Sequence, residues 1–169
     1  NVTNMSCMFM DCLTVEPLKL SNFNTENVTN MSCMFWGYQH SSLDISNFNT
    51  ENVTNMSCMF LGCVKFTSLN LSNFKTKKVK DMNGMFAYCT QLTSINLSSF
   101  NTENVENMTG MFHCCTSLVS LDLSSFNTKK VKYFYDYTSG IGIFEECTSL
   151  KTINLSSFDT SSVLYMCKM

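Results

Sequence analysis

The sequence predicts an α/β solenoid of about six coils, with one short parallel strand and one short helix per coil. Three observations carry this. First, one phrase recurs along the 169 residues. Its clearest copy, from Cys89 to Phe112, reads CTQLTSINLSSFNTENVENMTGMF, and the next, from Cys115, reads CTSLVSLDLSSFNTKKV. Second, a valine keeps time: Val2, Val28, Val53, Val79, Val105, Val131 and Val163 are separated by 26, 25, 26, 26, 26 and 32 residues. A period in the twenties is the mark of coils stacked one on another. Third, the apolar spacing inside each phrase switches from alternation to steps of three and four, the change from strand to helix.

The strand half comes first. In Leu118–Phe126 the apolar residues fall as LxxLxLxxF, and Leu121 and Leu123 alternate with polar neighbours. The same pair recurs as Leu18/Leu20, Leu43/Ile45, Leu69/Leu71, Ile95/Leu97 and Ile153/Leu155. Phe23, Phe48, Phe74, Phe100, Phe126 and Phe158 follow, and stacking would pile them into an aromatic spine. Pro17 sits in the first strand, tolerable near a strand start or an edge.

The helical half follows. Val105, Met108, Met111 and Phe112 make one apolar stripe on a helix of two or three turns. A threonine precedes each such segment: Thr25, Thr50, Thr76, Thr102, Thr128 and Thr160. Threonine at that place reads as an N-cap, its hydroxyl taking a backbone N–H of the first turn. Beside it Glu51, Lys77, Glu103 and Lys129 alternate in sign, one coil apart, which predicts a ladder of surface ion pairs.

Two groups of cysteines share repeat positions. Cys12, Cys63, Cys89, Cys115 and Cys147 occupy one place, with Tyr38 in the remaining copy, and read as core. Cys7, Cys33 and Cys58 occupy another, where later copies have Gly84 and Gly110. That is a position for small residues where adjacent coils come close. The expectation is mainly free, buried thiols, although neighbouring coils also bring like positions near enough for an inter-coil disulfide.

One proline and six glycines leave no linker, so residues 1–169 form a single solenoid. The chain starts and stops inside a repeat, which predicts a piece of a longer chain whose caps are missing. A net charge of −2 gives no basic field for nucleic acid. No apolar run reaches the ~18 residues of a membrane span. His40 and His113 do not recur by repeat; His113 lies beside Cys114 and Cys115, but no paired CxxC accompanies them. The expectation is therefore no catalytic, cofactor-binding or metal-binding residue.

The candidate contact residues are of two kinds. Between and beside the core leucines lies a flat polar array of Asp44, Asn70, Asn96, Asp122 and Asn154 with Ser72, Ser98 and Ser124. It reads equally as a binding face or as a solvated sheet. The last full coil gains six residues and with them Tyr133, Tyr135 and Tyr137, a loop that either makes contacts or packs on its own coil. Sequons are built into the repeat, with Asn27 and Asn52 the candidate outer glycan acceptors should the chain be secreted by a eukaryotic cell.

The phrase LxLSSFNTxxVxxMxxMFxxCxxLTS resembles the repeat of the BspA-like leucine-rich-repeat surface proteins, and all six coils carry it. The resemblance implies a leucine-rich-repeat-like solenoid at the cell surface or secreted. It implies a non-enzymatic adhesion or binding module whose ligand is a protein or a glycan. The alternative is a structural spacer or filament subunit, self-associating through the solenoid ends or side by side.

Overall fold

The computed structural model describes residues 1–13 and 16–169. The chain is a stack of coils in register, with like positions one above another. A line of parallel bridges, one per coil, fixes the register: Asn4↔Asn30↔Asn55↔Asp81↔Asn107↔Tyr133↔Tyr165. The interior is apolar along the whole stack; Leu71, Leu97 and Leu123 are all buried, as are Val28, Val53, Val79, Val105 and Val131.

The predicted helix is not formed; no helix exists among the described residues. The segment after each valine is instead a ladder. The amides of Met5, Cys7, Phe9 and Asp11 donate to the carbonyls of Asn30, Ser32, Met34 and Trp36 in the next coil, at 2.6–2.9 Å. The amides between them close tight turns on their own coil, as Met8 to Met5, Met10 to Cys7 and Cys12 to Phe9. Alternate amides thus run along the stack, whereas a helix would keep them inside its own segment.

Left-handed residues cause this. Cys7, Cys33, Cys58, Gly84 and Gly110 have φ of 56–58°, and four positions on, Asp11, Gly37, Gly62, Tyr88 and Cys114 have φ of 53–70°; Glu146 continues the second row at 62°. Each non-glycine there costs about 1–2 kcal/mol, which the hydrogen bonds between coils offset. The Gly/Cys position is also a close approach: a Cβ on Gly84 would lie 3.2 Å from Cys58 Sγ.

The strand half is also sparser than predicted. Among the described residues only β1 (Ser120–Asp122) and a later strand, β4 (Thr152–Asn154), pair as parallel strands, with Leu121 opposite Ile153. Earlier coils run beside each other on this side with isolated bonds such as Val119 N–H to Thr93 O at 3.2 Å. Between β1 and β4 the inserted residues fold into a hairpin of β2 (Tyr135–Asp136) and β3 (Ile141–Gly142), antiparallel.

Three further expectations change. The threonines are not caps. Thr102 Oγ1 donates to Asn127 O at 3.0 Å and accepts from Asn127 N–H at 2.8 Å, one coil away, and Thr25, Thr50, Thr76 and Thr128 repeat the pattern. All five are buried. The continuous aromatic spine is not the predicted column, in which Phe74 and Phe100 stack at 6.5 Å. It is Phe9, Phe35, Phe60, Phe86, Phe112 and Phe144, stacked at 5.6–6.0 Å within 17° of parallel. The ion-pair ladder forms in part: Lys77 meets Glu103 at 3.7 Å, but Glu51 meets Lys75 at 3.8 Å.

The bridge line contains one misfit charge. Asn4, Asn30, Asn55 and Asn107 each accept an N–H two residues on through Oδ1, and Asp81 does the same for Asn83 at 2.8 Å. Burial holds the Asp81 carboxyl above its usual range, against the lowering effect of the Asn83 N–H. A raised folded pKa means the native state binds the proton more tightly, so stability is lost as pH rises through that window. Asp81→Asn keeps the acceptor and removes the charge. It is expected to stabilise the chain at pH 7 by up to ~1 kcal/mol. The gain should vanish below the unfolded carboxyl pKa of about 3.9. Urea unfolding at both pH values reads it; equal stability at pH 7 would mean the carboxylate is solvated there.

Candidate functional site

The polar array stands on the outer side of the strand half, as predicted. Asp44, Asn70, Asn96, Asp122 and Asn154 are exposed, as are Ser72, Ser98 and Ser124. Their side chains already have work. Each Oδ1 accepts the backbone N–H two residues on, from Ser46, Ser72, Ser98, Ser124 and Ser156, at 2.9–3.1 Å. These bonds shape the turn that leads to the phenylalanine, so Asn-Leu-Ser and Asp-Leu-Ser are turn signatures here. The Ser46 hydroxyl, with the Ser46 N–H, holds the Asp44 carboxyl below its ordinary value, and the Ser124 N–H and hydroxyl do the same for Asp122. The face is regular and shallow, with an open dip of about 250 Å³ between Ser120–Asp122 and Thr152–Asn154.

A larger concavity lies where the repeat breaks. The β2–β3 hairpin stands against the turn ladder of the third, fourth and fifth coils and closes a cleft of about 580 Å³. Asp136 holds the hairpin tip: its carboxylate accepts from Thr138 N–H at 3.0 Å, Thr138 Oγ1 at 2.7 Å and Ser139 Oγ at 2.6 Å. These bonds bring its carboxyl down to about 2. Gly110 lets the hairpin seat, since a Cβ there would lie 2.8 Å from Ile141 Cγ2.

All three loop tyrosines named from the sequence line this cleft. Tyr135 meets Tyr137 edge to face at 6.0 Å, Tyr137 meets Tyr165 at 5.8 Å, and Tyr165 stacks on Tyr133 at 6.4 Å. Tyr88 enters from the opposite wall, with Asn83, Asn107 and Thr109 supplying amides and a hydroxyl. Tyr88 and Tyr165 were not singled out by sequence. Tyr165 is one coil beyond Tyr133 in the bridge line, and that relation was the signal available. The lining contains one carboxylate, Asp136, and no lysine or arginine.

His113 also reaches the cleft and is buried. Its Nε2 lies 3.2 Å from the Tyr88 hydroxyl and 3.4 Å from Cys114 Sγ. Its Nδ1 faces Glu145 Oε2 at 3.9 Å, beyond hydrogen-bond reach, and is otherwise without a partner. A Cys–His–Glu series suggests a nucleophile, which requires an easily ionised thiol. Here burial, with the charges of Glu146 and Glu145, pushes the Cys114 thiol up. The core cysteines are inert in the same sense: Cys63, Cys89, Cys115 and Cys147 each donate S–H to a phenylalanine carbonyl of an earlier coil at 3.1–3.2 Å. All ten cysteines are free thiols, but the expectation that most are buried does not hold: only Cys63, Cys89 and Cys115 are, the others lying toward the surface or the ends of the stack. No His/Cys/Asp/Glu group fit for a metal occurs among the described residues.

Of the candidate glycan acceptors, Asn27 is exposed. Asn52 is committed to the stack, its Nδ2 donating to Glu26 O at 2.9 Å and its Oδ1 accepting from Lys78 Nζ at 2.7 Å. Among the described residues no helix is long and apolar enough to cross a membrane.

Fold and site together define a repeat solenoid whose lengthened coil closes a tyrosine-lined cleft. The chain belongs to the family described as Mycoplasma protein of unknown function, DUF285, whose model matches residues 3–94 and again 67–169. The overlap of the two matches agrees with a repeat read twice. No curated protein matches. Among solved structures, a leucine-rich repeat protein from Bacteroides ovatus ATCC 8483 is similar at 20% identity and a TM-score of 0.28. The alignment covers 82% of this chain and 46% of that one. At that score the likeness carries no argument about this fold.

Proposed function

We propose that this chain is a non-enzymatic binding module of the BspA-like kind, held at the cell surface or secreted, and that it engages a protein or glycan ligand in the tyrosine cleft. The single observation that supports this reading is the break in the repeat. A solenoid built of near-identical coils departs from its rule where six extra residues create a concave site of ordinary ligand-pocket size, walled by aromatic rings with a few convergent amides and hydroxyls. Tyrosine combines large rigid contact area with a polar tip at low entropic cost. The absence of basic side chains from the lining directs the cleft to uncharged or cationic groups rather than phosphates or sulfates. The polar strand face is a secondary contact surface, because its side chains are already engaged in their own turns.

The test is a panel of immobilised neutral, sulfated and sialylated glycans and extracellular-matrix proteins, probed with three forms of the chain. The triple variant Tyr133→Ala, Tyr137→Ala, Tyr165→Ala is expected to lose at least ~10-fold in affinity, the usual effect of removing aromatic anchors. The triple variant Asp44→Ala, Asn96→Ala, Asp122→Ala should stay within about twofold, as expected for contacts outside the anchors. Thermal melts establish that both variants remain folded. The opposite ranking would move the site to the strand face, and no binding anywhere on the panel would count against the module reading itself.

A further inference from the structure

Cys7, Cys33 and Cys58 form a line down the first three coils. The ladder sets them in register: Cys7 N–H donates to Ser32 O, Cys33 N–H to Ser57 O and Cys58 N–H to Asn83 O, at 2.7–2.9 Å. All three share a left-handed backbone with φ of 56–57°, so their Cα–Cβ bonds leave the stack in the same direction. Neighbouring coils lie roughly 5 Å apart, as adjacent strands do. That falls inside the ~4.4–6.8 Å range of Cα separations that a disulfide spans. The Cys33 thiol interacts with the thiols on both sides, Cys7 and Cys58. Cys58 Sγ in turn points along the stack toward Gly84.

Access separates this line from the buried core cysteines, although Cys12, Cys114, Cys147 and Cys167 also reach solvent outside it. Cys7 is exposed and Cys33 and Cys58 are partly so, whereas Cys63, Cys89 and Cys115 are buried with their thiols bound to backbone carbonyls. We propose that the Cys7–Cys33–Cys58 line is an oxidation site that takes one inter-coil disulfide, with Cys33 as the shared partner and the bond able to shift between its two neighbours.

The co-reactant is a small external disulfide of the glutathione class. The Cys7 thiolate attacks it; the external S–S bond breaks, a mixed disulfide forms on Cys7, and one external thiol leaves. Cys33 then attacks Cys7 Sγ, forming the Cys7–Cys33 bond and releasing the second external thiol. Attack of Cys58 on Cys33 Sγ moves the bond to Cys33–Cys58 and returns Cys7 to the thiol. In sum, two protein thiols give up two electrons and two protons, and the external disulfide becomes two thiols. Burial, with Cys58 and Cys7 on either side, pushes the Cys33 thiol up to about 12. The internal step is therefore the slow one, and exposed Cys7 is the point of entry. The product links the coils that carry Cys7, Cys33 and Cys58 covalently, resisting their separation.

The experiment incubates the full chain under native conditions with oxidised glutathione. Free thiols are then alkylated, and the chain is cleaved at aspartate and glutamate, which lie between each pair of the three cysteines. Expected are peptides joining Cys33 to Cys7 or to Cys58, a rise in melting temperature, and reversal of both by a reductant. Cys33→Ser should abolish every link within the line, while Cys7→Ser should slow formation of Cys33–Cys58 without preventing it. Glutathione retained on Cys7 with no internal link would overturn the proposal. So would links that persist in Cys33→Ser.

Discussion

Phe86→Ala is expected to lower the unfolding free energy by about 3–5 kcal/mol, the range for deleting a fully buried aromatic ring. Phe86 is 1% exposed and stacks on Phe60 at 5.8 Å and Phe112 at 5.6 Å, nearly parallel to each. Its removal opens a gap in a column and loses two ring pairs, each worth about 0.5–1.5 kcal/mol beyond burial. The gap cannot close easily. The Phe86 amide is tied to Met111 O, and the Phe60 amide to Met85 O, both at 2.9 Å. Those bonds hold the coils at fixed spacing, so the neighbouring rings cannot slide together. Phe74→Ala is the comparison, since Phe74 is equally buried but stacks on one ring, Phe100, at 6.5 Å. Its cost should be smaller by about one ring pair, ~1 kcal/mol. Urea unfolding of both variants reads the difference. Equal losses would mean that burial alone, not the column, sets the cost.

The column also shows what the sequence could and could not tell. Period, register and most of the core were legible, because a repeat places identical residues in identical surroundings; at the two ends Val2 and Ile153 are exposed and Cys12 and Cys147 only partly buried. The path of the chain between core residues was not. Val105, Met108, Met111 and Phe112 are buried whether the segment winds as a helix or steps through alternating turns. What decides is the sign of φ at Gly84 and Gly110. Cysteine fills that position in the first three coils and disguises a backbone requirement as a size requirement. The threonine column was assigned the right chemistry, a hydroxyl satisfying a backbone amide, with the wrong partner: the amide is 25 residues away in Thr102–Asn127. The polar face was located correctly, but the Asx turns that occupy it were written in the Asn-Leu-Ser spacing and went unread. The loop tyrosines were visible as an insertion. The cleft was not, since its far wall comes from Tyr88 and His113, residues that only the stack brings opposite the hairpin.

Thr102→Val separates the two meanings of the threonine column. Valine matches the shape but offers no hydroxyl, so the Asn127 N–H and C=O lose their partner together. Each orphaned backbone group costs about 1–3 kcal/mol where water is excluded, less where it can enter. Both bonds are partly buried, and the expected loss is about 2–4 kcal/mol. Thr102→Ser keeps both bonds and removes one methyl, so it should cost about 0.8 kcal/mol. A missing helix cap would cost about 1 kcal/mol and stay local. An inter-coil staple acts differently, because a stack is coupled only through nearest-neighbour interfaces. Weakening the one between Thr102 and Asn127 should let the coils on its two sides unfold less cooperatively. The denaturant slope of Thr102→Val should therefore fall, and amide exchange should accelerate at Met108 and Cys114, whose N–H groups cross the next part of the same interface to Tyr133 and Glu145. An unchanged slope with a loss near 1 kcal/mol would return the threonine to a local role, and the stack would have to draw its cooperativity from the core alone.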